Sequence, residues 1–393
     1  MPLLPDRPAP LALDAVRAEF RHLPARVFFN HAAVGVYSRR VASAAEGWVA
    51  ERSGDCIENY LETMPRSEDA LERLGALLGV PRSAVEFVAS TSDALSILAE
   101  GLDWQPGDRV VVPACEFPAN VYPFLNLRRK GVEVDFVPHE NGCVSLGAVA
   151  AAITPRTRLV SVSWVQFLSG HRLDVAALAE IVHDRGALLC VDAIQGLGAL
   201  RLDVGASGID FLACGVQKWW MGPQGLAFLY CAPHLSGHLN GRAGWLHGPV
   251  DWDNFLDYDL AFFPDARRFR IGTLNALGAM LFRAALSLYE DAGPDACHAR
   301  VLSYGRQLRD GLHALGQPIY GPQESDETAT SVVTFVPTDP DAVFAALTAD
   351  GIATSMRNRM IRVSPSWENT PEEVDRALGV IARTVAGRVT TGG

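Results

Sequence analysis

The feature that most constrains the fold is the alternation of short apolar runs with helical patterns through the middle of the chain. Between two of these runs, Asp174 is a suitable helix N-cap and Gly186 a suitable stop. Each run is nearly continuous in apolar residues, as is typical of strands covered on both faces. The runs are Val85–Ala89, Arg109–Pro113, Val132–Val137, Leu159–Trp164, Ala187–Asp192, Asp210–Cys214 and Leu226–Cys231. This order predicts an α/β fold with a mostly parallel seven-stranded sheet.

The pattern changes near Thr273, where a long helical run, Leu274–Asp291, begins. Shorter runs follow at Ser331–Pro337, Asp341–Asp350, Met360–Ser364 and from Pro371 onward. A chain of 393 residues is also too long for one compact core. We therefore expect a large domain over 26–273 and a smaller α+β C-terminal domain over 274–393. We expect the N-terminal segment 1–25 to pack on the small domain.

Charge and composition exclude several classes of partner. The net charge of −11 disfavours binding to nucleic acid or to an anionic membrane. The start of the chain lacks the apolar core of a secretory signal, and no apolar stretch approaches the ~20 residues that span a bilayer. Seven cysteines, an odd number without a C-x-x-C pair, are typical of reduced thiols. We expect a cytoplasmic protein without nucleic-acid or membrane partners.

Polar residues end three of the predicted strands. Asp192 directly follows a buried run, so it must be paired, functional or the N-cap of a following helix. Lys218 follows another run among tryptophans and glycines, where burial would lower its pKa and make it a better nucleophile. A structural lysine that extends to solvent explains it equally well. The segment Ser90-Thr91-Ser92-Asp93-Ala94 is predicted to begin a helix. Its hydroxyl and N–H groups either bind an anion or form an ordinary helix cap.

Taken together, these three features match the needs of pyridoxal 5'-phosphate (PLP). This cofactor requires a Schiff-base lysine, an acid at its pyridine nitrogen and an anchor for its phosphate. At these residues the chain resembles the class V aminotransferase-like enzymes of PLP fold type I. That group includes cysteine desulfurases, selenocysteine lyases, kynureninase and isopenicillin-N-epimerase-like proteins. The resemblance runs from about Phe28 to Leu378 and implies the PLP-dependent transferase fold.

The resemblance also implies roles for individual residues. At the cofactor it places Thr91 and Ser92 on the phosphate, Phe117 stacked on the ring, Gln166 in a polar contact, Asp192 at the pyridine nitrogen, Gln195 at the ring hydroxyl and Lys218 as the Schiff-base lysine. Arg362 matches the arginine that binds the substrate α-carboxylate. Asn30 and His31 belong to a segment at the active-site entrance and are expected to contact substrate. Gly272 and Thr273 match a turn that reaches the phosphate of a neighbouring subunit, which implies a homodimer.

Some positions depart from the family pattern. Gln217 stands where many relatives have histidine, and Gly215 where they often have serine. Desulfurases need a mobile cysteine shortly before the carboxylate-binding arginine, and Gly351–Ile361 contains none. A desulfurase that forms a persulfide on its own cysteine is therefore disfavoured, whereas a lyase that releases sulfur directly is not. The sequence has no H-E-x-x-H or C-x-x-C metal motif and no complete dinucleotide fingerprint, so neither metal nor NAD is expected.

These residues predict an enzyme that acts at the α-carbon of an amino acid, with Lys218 as the proton shuttle. An aminotransferase is the first interpretation and a lyase, by β-elimination, C–S cleavage or kynureninase-like chemistry, follows closely. Epimerisation is third. A PLP-fold protein with only a binding role would have little reason to keep Lys218, Asp192 and Arg362 together. The sequence leaves the substrate and the choice among these reactions open.

Overall fold

The predicted sheet is present in the computed structural model, which describes residues 9–21, 26–321, 325 and 327–389. Its strands are β1 Val27–Phe28, β2 Val85–Val88, β3 Arg109–Pro113, β4 Glu133–Val137, β5 Thr157–Ser163, β6 Leu188–Asp192, β7 Phe211–Gly215, β8 Ala227–Cys231, β9 Val333–Phe335, β10 Ile352–Ala353, β11 Ser355–Arg357 and β12 Met360–Val363. The helices are α1 Leu13–Arg17, α2 Arg39–Ala50, α3 Tyr60–Leu78, α4 Thr91–Gly101, α5 Tyr122–Leu125, α6 Leu146–Ala152, α7 Val175–His183, α8 Pro233–Ser236, α9 Ala276–Ala292, α10 Pro294–Ala314, α11 Pro340–Ala349 and α12 Pro371–Val389.

Seven strands form the central sheet in the order β2-β8-β7-β6-β5-β3-β4. Neighbouring strands from β7 to β4 pair in parallel, and β8 pairs antiparallel with both β7 and β2. The prediction of a mostly parallel seven-stranded sheet is confirmed. Asp174 caps α7, as predicted, because its carboxylate accepts a hydrogen bond of 3.0 Å from the Ala177 N–H.

A second, smaller core forms around the C-terminal strands. Strands β11, β12 and β9 make an antiparallel sheet in that order. Strand β1 joins this part of the molecule, since it pairs in parallel with β10. Val27 and Phe29 therefore pack with Val363 and Leu347 in the smaller core, although the sequence-based boundary assigns them to the large domain.

The N-terminal segment, as far as it is described, contacts both parts. Residues 1–8 and 22–25 of the segment predicted over 1–25 lie outside the described residues. Val16 and Phe20 belong to the large core around the central sheet. Arg17 donates a hydrogen bond of 2.8 Å to Glu373 on α12.

In the part of the chain that is described, no helix combines the length and apolarity required to cross a bilayer.

Parallel pairing brings the carboxyl ends of β5, β6 and β7 to one edge of the sheet. Ser163 pairs with Asp192 across β5 and β6, and Asp192 pairs with Ala213 on β7. In open α/β sheets, ligands bind beyond the carboxyl ends of the strands. The fold therefore places Asp192, and Lys218 just after β7, where a ligand is expected.

Candidate active site

A cavity of about 400 Å³ opens at this edge of the sheet. It brings together residues from the large domain and from the β11–β12 hairpin. Its lining consists of Ala32, Ala33, Ser90, Thr91, Ser92, Phe117, Ala119, Phe167, Asp192, Ile194, Gln195, Gln217, Lys218, Arg357 and Arg362. Seven of the residues that the sequence predicts for the site, from Thr91 to Arg362, thus share one space.

Lys218 is positioned by a tight loop between β7 and β8. The Met221 N–H donates to the Lys218 carbonyl at 3.0 Å, and Met221 has a φ of 54°. Gly35 lies so close that a Cβ there would sit 2.1 Å from the Lys218 carbonyl oxygen. Burial lowers the pKa of Lys218 to about 8, although the nearby Asp192 opposes this shift. An appreciable fraction of the amine is therefore unprotonated near neutral pH.

Asp192 is the last residue of β6 and is buried. Its Oδ1 accepts a hydrogen bond of 3.0 Å from the Ile194 N–H. Burial raises the pKa of its carboxyl from 3.8 to about 6, and Lys218 partly counteracts that rise. No α-helix begins at the next residues, which form turns, so an N-cap role does not explain this acid.

The start of α4 forms one end of the cavity. Ser90 caps the helix by accepting from the Asp93 N–H at 3.1 Å, which leaves other first-turn N–H groups without helical acceptors. Thr91 Oγ1 is buried and has no hydrogen-bond partner among the described residues. Gly215 faces it, and a Cβ there would lie 3.1 Å from this oxygen and 2.4 Å from Gln217 Oε1. An unpartnered hydroxyl at a helix N-terminus, with space in front of it, fits a phosphate group.

Phe117 and Gln195 line the cavity, whereas Gln166 does not. The Phe117 ring packs edge-on against Phe167, with centroids 5.4 Å apart, and the Lys218 Nζ lies 5.8 Å from the Phe117 centroid. Gln195 donates to the Ala32 carbonyl at 3.0 Å and accepts from Trp219 Nε1 at 3.1 Å. Both ends of this amide thus already have protein partners.

Arg362 reaches the cavity from β12 and is only 3% exposed. Its Nη1 donates to the Phe167 carbonyl at 2.6 Å, and its Nε donates to Ser355 Oγ at 3.3 Å. Burial lowers the pKa of its guanidinium to about 10, with Arg357 adding to the effect. The described residues provide no carboxylate ion pair for it. A buried cation of this kind fits an anionic ligand group.

Besides Gln166, four residues expected at the site do not line this cavity. His31 is fully buried, with its Nε2 2.8 Å from Glu368 Oε1 and its ring stacked on Trp219 at 5.9 Å. Asn30 pairs with Ser364 through an isolated β-bridge. Gly272 and Thr273 line a separate cavity of about 320 Å³. The structure therefore does not bring His31 or Asn30 to the substrate position expected from the sequence.

Two residues at the site were not found by sequence reasoning. Glu116, the neighbour of Phe117 in the chain, is buried, and its carboxylate accepts from the Ser163 N–H at 2.7 Å and from Gln166 Nε2 at 2.8 Å. Burial raises its pKa to about 7, and Asp192 contributes to the rise. The signal was available, because Glu116 is an acid three residues after the apolar run Arg109–Pro113. The second residue is Arg357, at the cavity mouth.

The residues of the cavity fit PLP. A lysine with a lowered pKa, a buried acid at a strand end, an unpartnered hydroxyl at a helix N-terminus and an aromatic face supply the groups that the cofactor requires. The fold and this set of groups define a PLP-dependent enzyme. A family model described as "Aminotransferase class-V" matches residues 58–376, and the chain belongs to this family.

Comparison with individual proteins agrees with the family. The chain is 35% identical over 263 residues to a "Probable cysteine desulfurase" of Methanothermobacter thermautotrophicus, a match that spans 66% of this chain and 64% of that protein. A cysteine desulfurase structure from Thermococcus onnurineus superposes with a TM-score of 0.85 at 24% identity, covering 95% of this chain and 98% of that one. The cystine C–S lyase C-DES, in complex with cysteine persulfide, superposes with a TM-score of 0.84 at 21% identity, covering 92% and 99%.

Proposed function

We propose that this enzyme is a PLP-dependent lyase that cleaves the bond between Cβ and sulfur of an α-amino acid by β-elimination. The relatives named above support sulfur chemistry, and the similarity in fold to a cystine C–S lyase supports cleavage of a C–S bond. This proposal replaces the aminotransferase interpretation that the sequence alone favours. The observation that carries it is a cavity that combines Lys218, Asp192 and Arg362 without a cysteine.

The absence of a cysteine argues for direct elimination over transfer of sulfur to the protein. All seven cysteines of the chain are described, and none lies among the residues that line the cavity. Burial raises the pKa of Cys115 to about 12 and that of Cys143 to about 11, so neither supplies a thiolate near neutral pH. A relay through a persulfide on this chain therefore has no acceptor.

Each polar residue of the cavity has a role in this chemistry. When bound, PLP supplies an electron-withdrawing ring that stabilises negative charge at the substrate α-carbon. Asp192 holds positive charge at the ring nitrogen, since a buried carboxylate favours a cation beside it. Arg362 binds the α-carboxylate and fixes the orientation of the α-carbon. Lys218 takes the proton from the α-carbon and can deliver it to the departing sulfur.

The overall reaction balances without any oxidant. A cysteine thioether and one water give a free thiol, pyruvate and an ammonium ion. The proton from the α-carbon leaves, the Cβ–S bond breaks, and its electron pair goes with the sulfur. Phe117 and Phe167 line the cavity and supply apolar surface beside the position proposed for the substrate.

Product analysis with a panel of cysteine thioethers tests the proposal. We expect equal amounts of thiol, pyruvate and ammonia, without a requirement for a keto acid. Double replacement of Cys115 and Cys143 by serine should leave this activity in place, because neither thiol lines the cavity. Accumulation of pyridoxamine phosphate, with turnover that depends on an added keto acid, would instead establish transamination, the activity after which the family is named.

The remaining contacts and the assembly are part of the same proposal. We assign Thr91 and Ser92 to the phosphate, Phe117 to the ring face and Gln195 to the edge of the cofactor. Gln166 acts through Glu116. Gly272 and Thr273 are assigned to the cofactor site of a second copy of the chain.

A homodimer is supported by apolar side chains on the loop that precedes this turn. Leu256 and Tyr258 are 77% and 87% exposed. Sedimentation should give a dimer, and a fully active monomer would remove the role given to Thr273. Placement in the cytoplasm stays a prediction, supported by the seven free cysteines.

A further inference from the structure

The cavity contains a second arginine for which the proposed reaction has no use. Arg357 is the last residue of β11 and lines the cavity together with Arg362 of β12. Its Nη1 donates a hydrogen bond of 3.0 Å to the Met356 carbonyl. Within residues 26–321 and 327–389 no carboxylate forms an ion pair with it. Two guanidinium groups thus share one cavity, and neither has an acidic partner there.

The hairpin geometry places both arginines on one face. Ser355 lies opposite Arg362 in the β11–β12 pairing, and Arg357 lies two residues beyond Ser355. Side chains two residues apart on a strand point to the same side, so Arg357 and Arg362 are diagonal neighbours about 7–8 Å apart at their α-carbons. This separation suits two anionic groups on one small ligand.

The turn of the hairpin fixes this arrangement. Asn358 and Arg359 have φ values of 49° and 58°, as a tight two-residue hairpin turn requires. Arg359 is directed away from the cavity and donates to Asp341 Oδ2 at 3.0 Å. One arginine of the turn is thus neutralised by an ordinary surface ion pair, whereas the arginine two positions earlier faces the cavity without one.

We infer that Arg357 makes the cavity select amino acids whose side chain ends in a second anionic group. The α-carboxylate binds to Arg362 and the distal carboxylate or sulfinate binds to Arg357. This inference rests on the proposed function, because it presumes that an amino acid occupies the cavity. For a C–S lyase, the preferred substrates are S-substituted cysteines whose sulfur substituent carries a carboxylate.

A ligand whose side chain ends in a neutral group forms a weaker interaction with Arg357. A hydrogen bond between two charged groups stabilises a complex more than a hydrogen bond to a neutral group does. Since Arg357 is exposed at the cavity mouth, solvent screening reduces the effect. We therefore expect a preference of about tenfold for the charged ligand over a neutral ligand of equal size.

Binding of two unreactive acids tests the inference without any turnover. Glutarate and glutaramate have the same size, and only glutarate carries a second carboxylate. Neither has an α-amino group, so neither enters the reaction. Isothermal titration of the PLP-loaded protein should give about tenfold tighter binding of glutarate. In Arg357→Gln the two affinities should become nearly equal, through a loss for glutarate alone.

Arg359→Gln is the matched control, because it removes the same charge from the same turn outside the cavity. It should preserve the preference for glutarate, and Arg357→Lys should restore part of the preference lost in Arg357→Gln. Equal affinities in the wild-type protein would overturn the inference. An equal loss in Arg359→Gln would also overturn it, since the preference would then reflect the general field of the hairpin.

A kinetic comparison separates this inference from the proposed function. S-carboxymethylcysteine and S-carbamoylmethylcysteine differ in charge and hardly in size. The ratio of their kcat/KM values should favour the acid in the wild-type protein and approach one in Arg357→Gln. Pyruvate release from both substrates at equal efficiency in the wild-type protein would overturn the role of Arg357 and leave the lyase intact. If neither substrate releases pyruvate while the protein still binds glutarate more tightly than glutaramate, the result would count against the lyase alone.

Discussion

Replacing Asp192 by asparagine should stabilise the cofactor-free protein at pH 8 while weakening its binding of PLP. The Asp192 carboxyl is buried, and burial raises its pKa from 3.8 to about 6. Such an acid holds its proton more tightly in the folded than in the unfolded chain. The free energy of unfolding therefore falls as the pH rises from the lower of these two pKa values to the higher. Asparagine carries no charge and avoids that loss.

The size of the effect follows from the difference between the two pKa values. With about 1.36 kcal/mol for each pKa unit, the ionised carboxylate costs the folded state roughly 3 kcal/mol at pH 8. At pH 5 the same linkage gives about half of that amount, roughly 1.5 kcal/mol. The observed gain should be smaller, because the amide accepts a weaker hydrogen bond from Ile194 and no longer attracts Lys218. We expect a net gain of about 1–2 kcal/mol at pH 8.

Urea unfolding of the cofactor-free proteins at pH 5 and pH 8 provides the assay. The matched control is Asp210→Asn, at a second buried aspartate, which accepts from His183 Nε2 and His234 Nε2, both at 2.9 Å. The free energy of unfolding of this variant should be about 1–3 kcal/mol lower than that of the wild-type protein, because the replaced Asp210 carboxylate has hydrogen-bond partners. A loss of stability in Asp192→Asn at pH 8, or a gain equal at both pH values, would refute the reasoning. Absorbance titration with PLP should show weaker binding by Asp192→Asn.

Three further predictions concern the cavity. Arg362→Lys should lower kcat/KM by about 10- to 100-fold in steady-state assays, because an ammonium group cannot bind a carboxylate in the bidentate manner of a guanidinium. An unchanged kcat/KM would remove the carboxylate role of Arg362. Gly35→Ala should reduce both thermal stability and PLP uptake, since its Cβ would lie 2.1 Å from the Lys218 carbonyl oxygen; a wild-type melting curve would contradict this. The rate of PLP uptake by the cofactor-free protein should rise with pH through about 8, as Lys218 loses its proton, whereas a rate that is flat from pH 7 to pH 9 would argue against the lowered pKa.

The sequence predicts the central sheet well because each strand there is a continuous apolar run covered on both faces. Strand β3, Arg109–Pro113, has the predicted bounds, and β5 differs by two residues at its start. The grouping of Asp192 and Lys218 could also be predicted, since parallel strands end at one edge. Local pattern and global topology agree at these positions.

Features that depend on distant pairing could not be predicted in this way. Strand β1 has two residues and forms by pairing with β10, more than 300 positions away, so no local periodicity reveals it. Helix α3 contains Pro65, a residue that normally breaks a helical pattern, although the helix continues through it. The position of Arg357 depends on a tight turn closed by Asn358 and Arg359, two non-glycine residues with positive φ. The burial of His31 beneath Trp219 likewise appears only in three dimensions.

The central claim is that Lys218 carries the cofactor, and the chain makes this claim easy to test. Its sequence contains two lysines, Lys130 and Lys218, of which Lys130 is exposed. Borohydride reduction of the PLP-loaded protein, followed by peptide mass mapping, locates the covalent attachment directly. The account predicts one phosphopyridoxyl group on the peptide that contains Lys218 and none on the peptide that contains Lys130. Label on Lys130 alone, or no label on either peptide, would contradict it.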